Sequence, residues 1–253
     1  KTAVAARNDY ENPSDCVIPY CDIYYDIPFE RNPLKIGNLN AYKELKKVID
    51  EGEYDIIHCH TPVGAMLTRL AAKQVRKHGT KVFYTAHGFH FYKGGPLKSW
   101  FLFYPVERAL ARMTDVLVTI NREDRSCAGR FILKKGGQVA FMPGTGTDTD
   151  RFCPDRSRRQ EARQVMGVKE GEYCLVTAAR LDREKNCQTV LRAMEELGDI
   201  PCRYVICGEG PWRPFLEREV RRRGLEDRVR LMGFRADMDF LLQGADLFLF
   251  PSL

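Results

Sequence analysis

The sequence predicts an α/β protein of parallel sheets, and three observations carry that expectation. Apolar, β-rich runs alternate with helical patterns along the whole chain, the rhythm of strands joined by crossover helices. The runs are apolar throughout instead of alternating with polar residues, as strands covered on both faces are. With 253 residues the chain is also long enough for two domains, each with its own core.

In chain order, the strand-like residues 2–6 (TAVAA) and 21–27 (CDIYYDI) come first. Leu39, Tyr42, Leu45 and Ile49 then share one helical face. YDIIHCH (54–60) reads as a buried strand, and Val63, Met66, Leu67, Leu70 and Ala71 make the stripe of a helix predicted to end at Gly79. The strand KVFYT leads to the loop AHGFHFYKGGP, a helix over 99–113, the strand DVLVTI, a helix from Arg122 and the strand QVAFM. The second half repeats the rhythm with helix 158–166, strand YCLVTA, helix 187–197, strand RYVIC, helix 212–223, strand VRLMG, helix 237–242 and strand LFLF. Between the halves the polar loop MPGTGTDTDRFCPD (142–155) interrupts the alternation. The predicted boundary lies there, giving Rossmann-like units over 1–147 and 148–253 with a cleft between them.

Composition narrows the class. A hydrophobic share of 44% with 11% aromatics excludes a disordered chain. No apolar run approaches the roughly 20 residues that span a bilayer, and KTAVAARNDY lacks the apolar core of a signal peptide. Nine cysteines without a C-x-x-C pair, several inside strand runs (Cys59, Cys174, Cys207), fit buried thiols in a reducing compartment. The expected location is cytoplasmic. The net charge of +6 is unevenly spread, because residues 1–68 hold 7 Lys and Arg against 11 Asp and Glu, whereas residues 69–135 hold 14 against 4. Such a segment favours an anionic surface, whether lipid, nucleic acid or substrate phosphate, unless it is simply a solvated face.

The stretch LVTAARLDREKN (175–186) gathers the most chemistry. An apolar run stops at Arg180, Lys185 follows, and Asn186 opens a helical pattern. A strand-to-helix loop aims backbone N–H groups and the positive end of the helix dipole at one spot, and two side-chain cations make that spot suit a diphosphate. One cation about 4 Å from a phosphate charge gains roughly 4 kcal/mol at an effective dielectric of 20. Contacts that strengthen on a departing group raise a rate tenfold per about 1.4 kcal/mol, without a metal. The plainer alternative is a pair of solvated loop charges. CGEGP, with Gly208, Glu209 and Gly210, follows a strand and precedes a helix, so its glycines sit where a backbone passes close to a ligand. It lacks the full G-x-G-x-x-G and the acidic residue about 20 positions on, so no dinucleotide is expected. MGFR brings Gly233, Phe234 and Arg235 to the same sheet edge.

TAHGFHF (85–91) is the corresponding strand end in the first half, where His87 and His90 either donate to a sugar or phosphate oxygen or are ordinary loop histidines. His58 and His60 share one strand face, but no third ligand at metal spacing accompanies them, so zinc is not expected. Asp148-Thr149-Asp150 spells D-x-D in the boundary loop, where Asx turns explain it more simply than a divalent metal does. Lys93, Lys98, Trp100, Phe101, Phe103, Tyr104, Arg108 and Arg112 form an aromatic, basic segment. It fits either anionic headgroups or a lipid-linked acceptor, or else ordinary core packing of its rings.

YDIIHCHTPVGA, YTAHGFHFYKG, TDVLVTINREDR, MPGTGTD, ARLDREKN, CGEGP, VRLMGF and ADLFLFPS are weak signals singly, but their order and spacing are specific. Together they resemble the successive strand ends of the bacterial family 4 glycosyltransferases, which have the GT-B fold and build capsular or exopolysaccharide repeat units. The resemblance implies that Arg180 and Lys185 hold a donor diphosphate beside Gly208, Glu209 and Gly210, and that Gly233, Phe234 and Arg235 hold the nucleotide base. It implies that His87 contacts the transferred sugar as the catalytic residue; the aromatic, basic character of the neighbouring segment puts His90, Lys93 and Trp100 on the acceptor or membrane side. Implied too are retention of anomeric configuration, a UDP-sugar as donor, no metal or other cofactor, and a lipid-linked or polysaccharide acceptor. The basic segment would then meet an anionic membrane on its cytoplasmic face, with no nucleic acid as partner. By the same resemblance a first strand and glycine-rich loop precede Lys1 and an E-G-x-P segment follows Leu253, so both domains are incomplete here. A nucleotide-sugar epimerase of the same architecture, and a folded binding module without activity of its own, stay open as other readings.

Overall fold

The apolar runs pair in parallel throughout the computed structural model, which describes residues 1–10, 12, 14 and 16–253. The chain divides into two compact units, Lys1–Gly146 and Thr147–Leu253. In the first, β1 (Ala3–Ala6) and β2 (Ile23–Asp26) make a two-stranded sheet. A separate four-stranded sheet follows chain order, with β3 (Ile56–His60), β4 (Lys81–Ala86), β5 (Val116–Thr119) and β6 (Gln138–Phe141) side by side. Helices α1 (Gly37–Glu51), α2 (Pro62–Ala71), α3 (Leu97–Ala111) and α4 (Arg122–Ala128) alternate with these strands. The second unit holds α5 (Arg159–Met166), β7 (Tyr173–Ala178), α6 (Cys187–Glu196), β8 (Cys202–Cys207), α7 (Arg213–Arg222), β9 (Val229–Gly233), α8 (Met238–Leu241) and β10 (Leu247–Phe248). Its sheet runs β10-β7-β8-β9.

Packing follows the sequence stripes. In the first unit Ala41, Leu45 and Ile49 of α1 and Ala65, Leu67 and Ala71 of α2 close on Val82, Tyr84 and Leu117 of the sheet. Each large apolar side chain so buried contributes about 1.5–3 kcal/mol. In the second unit two clusters flank the sheet, one built with α6 and α7 and the other with α5 and α8. That arrangement explains the unbroken apolar runs of β7 and β8.

Several elements depart from expectation. β3 is not buried on both faces, because Ile56, His58 and His60 are exposed while Cys59 is buried. It is an edge strand of its sheet, and only one side is covered. The second helix ends at Ala71, the last residue of its buried stripe, and a 3₁₀ turn over Val75–His78 carries the chain to Gly79 at φ 110°. α8 has four residues before it tightens into a 3₁₀ turn over Leu242–Gly244, and β10 has two residues, both exposed.

The basic segment is partly internal. Arg69, 1% exposed, forks onto Glu107 with nitrogen–oxygen distances of 3.0 Å, donates from Nε to the Ala65 carbonyl and stacks over the Tyr84 ring. Arg76, Lys81 and Lys134 surround Asp115 at 3.7, 4.0 and 3.0 Å. Asp115 also accepts from the Val82 N–H at 2.9 Å, tying β5 to β4. The second unit repeats this device with Asp246, which accepts from the Cys174 N–H at 2.7 Å and pairs with Arg159 and Arg163.

Candidate functional site

In the second unit three loops leave the carboxyl ends of β7, β8 and β9, and their backbones are laced together. Ala179 N–H donates to the Cys207 carbonyl, Leu181 N–H to the Glu209 carbonyl, Trp212 N–H to the Leu181 carbonyl and Gly208 N–H to the Gly233 carbonyl, at 2.7–3.0 Å. A bulge at Ile206/Cys207 in the β8–β9 ladder accompanies this crossing. The glycines follow from the lacing. A Cβ at Gly208, which has φ 144°, would stand 1.9 Å from the Ala179 oxygen, and one at Gly210 would stand 2.2 Å from the Leu181 oxygen. The neighbouring loop alone is thus enough to require glycine at both positions.

The lacing holds Arg180, exposed, between two pinned neighbours. Lys185 is half-buried; its N–H donates to Asp182 Oδ1 at 3.1 Å and its ammonium lies 5.1 Å from the centre of the Phe250 ring. That cation–π contact is worth about 0.5–1 kcal/mol at an exposed site. Asn186 turns the chain into α6 in the left-handed conformation, φ 52°, and ties it down by Nδ2 to the Pro251 carbonyl and by Oδ1 to the Thr189 hydroxyl. Glu209 pairs with Arg213 and sits under Gly233. Phe234 is 76% exposed. Arg235 is not a free cation: it grips Asp237 through two bonds of 2.8 and 2.6 Å, and this pairing raises its pKa while lowering that of Asp237. Sequence reading missed Asp182 and Asp237, whose role shows only once the loop is folded. An open hollow of about 650 Å³ in this unit, lined by Phe152, Asp155, Arg159 and Asp239 among others, is a different place from this rim.

The first unit carries a second cluster at the ends of β3 and β4. His58 and His60 share a strand face with ring centres 4.3 Å apart, and His87 reaches back so that its Nε2 lies 3.0 Å from His60 Nδ1. Partial burial of these rings, and after it the neighbouring imidazoles, lower the pKa of His58 and His60. Among the described residues no group of three His, Cys, Asp or Glu is arranged to hold a metal. The loop after His87 is held from α4. Asn121 caps that helix by accepting from the Asp124 N–H, Asp124 Oδ2 accepts from the Phe89 N–H at 3.1 Å, and Glu123 accepts from the Lys93 N–H. Burial raises the Asp124 pKa despite those bonds. Phe89 and Phe91 stack and are buried, leaving His90 exposed against Phe103 and Lys93 exposed beside it.

Trp100, expected at an acceptor or membrane face, packs inward on Phe91 and Tyr104 and donates to the Tyr92 carbonyl. The outward side of α3 is instead Leu97, Phe101, Leu102 and Val106, with Lys98, Arg108 and Arg112 also exposed. The D-x-D stretch is an Asx turn, with Asp148 Oδ1 accepting from the Asp150 and Arg151 N–H groups.

Comparison with known proteins identifies the family. The family model described as glycosyl transferase 4-like domain matches residues 2–144, and that of glycosyl transferases group 1 matches residues 158–253. The chain is a family 4 glycosyltransferase sequence. EpsD of Bacillus subtilis, named as a glycosyltransferase whose reaction its name does not give, is 44% identical over 93% of this chain and 62% of its own length. The UDP-Gal:α-D-GlcNAc-diphosphoundecaprenol α-1,3-galactosyltransferase of Escherichia coli is 27% identical over 88% of the chain and 58% of its own length. Thus this family 4 chain spans about six-tenths of the length of these relatives. Solved structures share the α/β fold of GT-B type. HepE of Anabaena in complex with UDP-glucose gives a TM-score of 0.70 at 19% identity, covering 91% of this chain and 60% of that one. Sucrose-phosphate synthase of Thermosynechococcus elongatus gives 0.70 at 20%, covering 99% and 65%.

Proposed function

We propose that the chain belongs to a retaining glycosyltransferase that moves a sugar from a nucleotide donor, UDP first among them, to a lipid-linked or polysaccharide acceptor at a membrane. The observation that carries this reading is the laced rim of the second unit, which fixes Arg180 and Lys185 on one loop at the head of α6. There two cations and a helix N-terminus meet a diphosphate and stabilise it more as it departs with charge. The exposed ring of Phe234 stacks the base, and Arg235, steadied by Asp237, borders it. His87, on the first unit, meets the transferred sugar, without a metal. UDP-sugars and a diphosphoundecaprenol acceptor stand in the names of relatives and solved neighbours, which supports the choice of donor and acceptor.

Binding of UDP in the presence of chelator tests the core of this. Arg180→Ala and Lys185→Ala each weaken UDP by about 1.5–3 kcal/mol, the range of hydrogen bonds to charged groups, or roughly tenfold to a hundredfold. Unchanged affinity in both variants would remove the proposal. A donor isomerised with no acceptor present would favour an epimerase instead.

On α3, the exposed Leu97, Phe101, Leu102 and Val106 lie among exposed cations, while the one acid of the helix, Glu107, is buried against Arg69. An apolar strip on a helix whose exposed charges are all positive fits the interface of an anionic membrane.

A further inference from the structure

His60 is the last residue of β3, and the parallel register sets it opposite Thr85 of β4, two residues before His87. The chain turns sharply after each histidine: Thr61 holds φ 60° with ψ 145°, a region side chains seldom allow, and Gly88 holds φ 141°. These turns bring His60 Nδ1 within 3.0 Å of His87 Nε2. On the other side the His58 ring lies tilted at 39° against His60 with ring centres 4.3 Å apart, and His58 Nε2 is bonded to the Thr85 hydroxyl at 2.8 Å. The three rings form a column anchored on β4, with His87 at its exposed end.

An imidazole held by one nitrogen can offer a ligand only the other. In a neutral pair one ring donates and the other accepts, so the contact also couples their tautomers. Partial burial, and after it the neighbouring imidazoles, lower the pKa of His58 and His60, which favours their neutral forms.

We infer that His60 is a positioning residue for His87: by holding His87 Nε2 it presents Nδ1 alone, in one tautomer and one ring orientation, to the sugar oxygen. This deepens the proposed function and rests on it for the identity of the ligand. The contact between the rings does not depend on that reading.

Nitrogen NMR of the five imidazoles of the chain, each assigned by a His→Gln replacement and recorded near pH 8, above the ordinary imidazole value of about 6.5, tests the contact directly. In the unaltered protein the two ring nitrogens of His87 report one fixed tautomer. His60→Asn, whose amide reaches the place of Nδ1, preserves that pattern. His60→Phe keeps an aromatic ring without a nitrogen, and His60→Leu removes the ring; in both, His87 moves to the averaged shifts of an exposed, exchanging imidazole. His58, bonded to Thr85, keeps its own pattern and reports that the strand ends are intact. His87 signals identical in the unaltered protein and in His60→Phe or His60→Leu would overturn the inference.

A transfer assay supplies the second arm. His60→Phe lowers kcat by about tenfold with donor KM little changed, and it adds no further loss in the His87→Ala background, as expected of two residues acting as one unit. A fully additive loss would overturn the positioning role. If His87→Ala transfers sugar at the unaltered rate while the NMR coupling stands, the sugar contact of the proposed function has failed and the ring contact has not.

Discussion

Gly210 shows how a single residue decides the shape of the rim. The Cβ of an alanine there would meet the Leu181 oxygen at 2.2 Å, and that oxygen and the Leu181 N–H are both bonded to the 209–212 loop. Relief requires the two backbones to part, which breaks two hydrogen bonds worth about 1 kcal/mol each and leaves buried groups unpaired. Gly210→Ala is expected to cost about 2–4 kcal/mol. A thermal melt lowered even without nucleotide is the check, since a purely ligand-facing glycine would leave the apo melt unchanged. At this scale the sequence marks residues by their place after strands and does not show what they touch. Arg180, Lys185 and the glycines stand out by their place after strands. Asp182 under the Lys185 N–H, Asp237 on Arg235 and Phe250 under the ammonium do not, because an ordinary acid or ring carries no mark until the fold brings it near. His60 and His87 are likewise 27 residues apart and meet only through the β3–β4 register.

Among the elements, α3 mixes two roles that its composition could not separate. Trp100, Phe103 and Tyr104 pack on the first unit's core, while Phe101 and Leu102 stay 81% and 63% exposed. The helical period of 3.6 residues sorts them, but aromatic residues on both sides blur the stripe. Phe101→Ser with Leu102→Ser is therefore expected to leave the melt nearly unchanged. The same pair should cut co-sedimentation with vesicles containing anionic lipid severalfold, each exposed apolar side chain losing about 1.5–3 kcal/mol of burial at most. Equal recovery with neutral and anionic vesicles in the unaltered protein would dismiss the membrane contact. No helix among the described residues is long and apolar enough to cross a membrane. Strand and helix order was legible because apolar runs and stripes dictate it. The break after Ala71, the four-residue α8 and the two-residue β10 were not, since turns of 3₁₀ type leave no periodic signal.

At the scale of the molecule, the two units share one electrostatic device. Asp115 precedes β5 and Asp246 precedes β10; each accepts a backbone N–H from the adjoining strand and faces cations. Burial alone would raise both pKa values, but the N–H bonds and the cations prevail and lower them. A carboxylate with a depressed folded pKa adds stability that is full above the ordinary value of about 3.9 and fades as pH falls through the folded value. Asp115→Asn and Asp246→Asn are thus expected to destabilise at neutral pH, with the gap to the unaltered protein closing in acid. A gap constant across a melt series from neutral to acid pH would contradict this. The laced rim has a further consequence. With the amides of Ala179, Leu181, Gly208 and Trp212 closing on one another's loops, no single loop can swing outward by itself. A push on Arg180 is resisted by three strand ends and the head of α7 together, so the shape of this rim is a property of the apo fold.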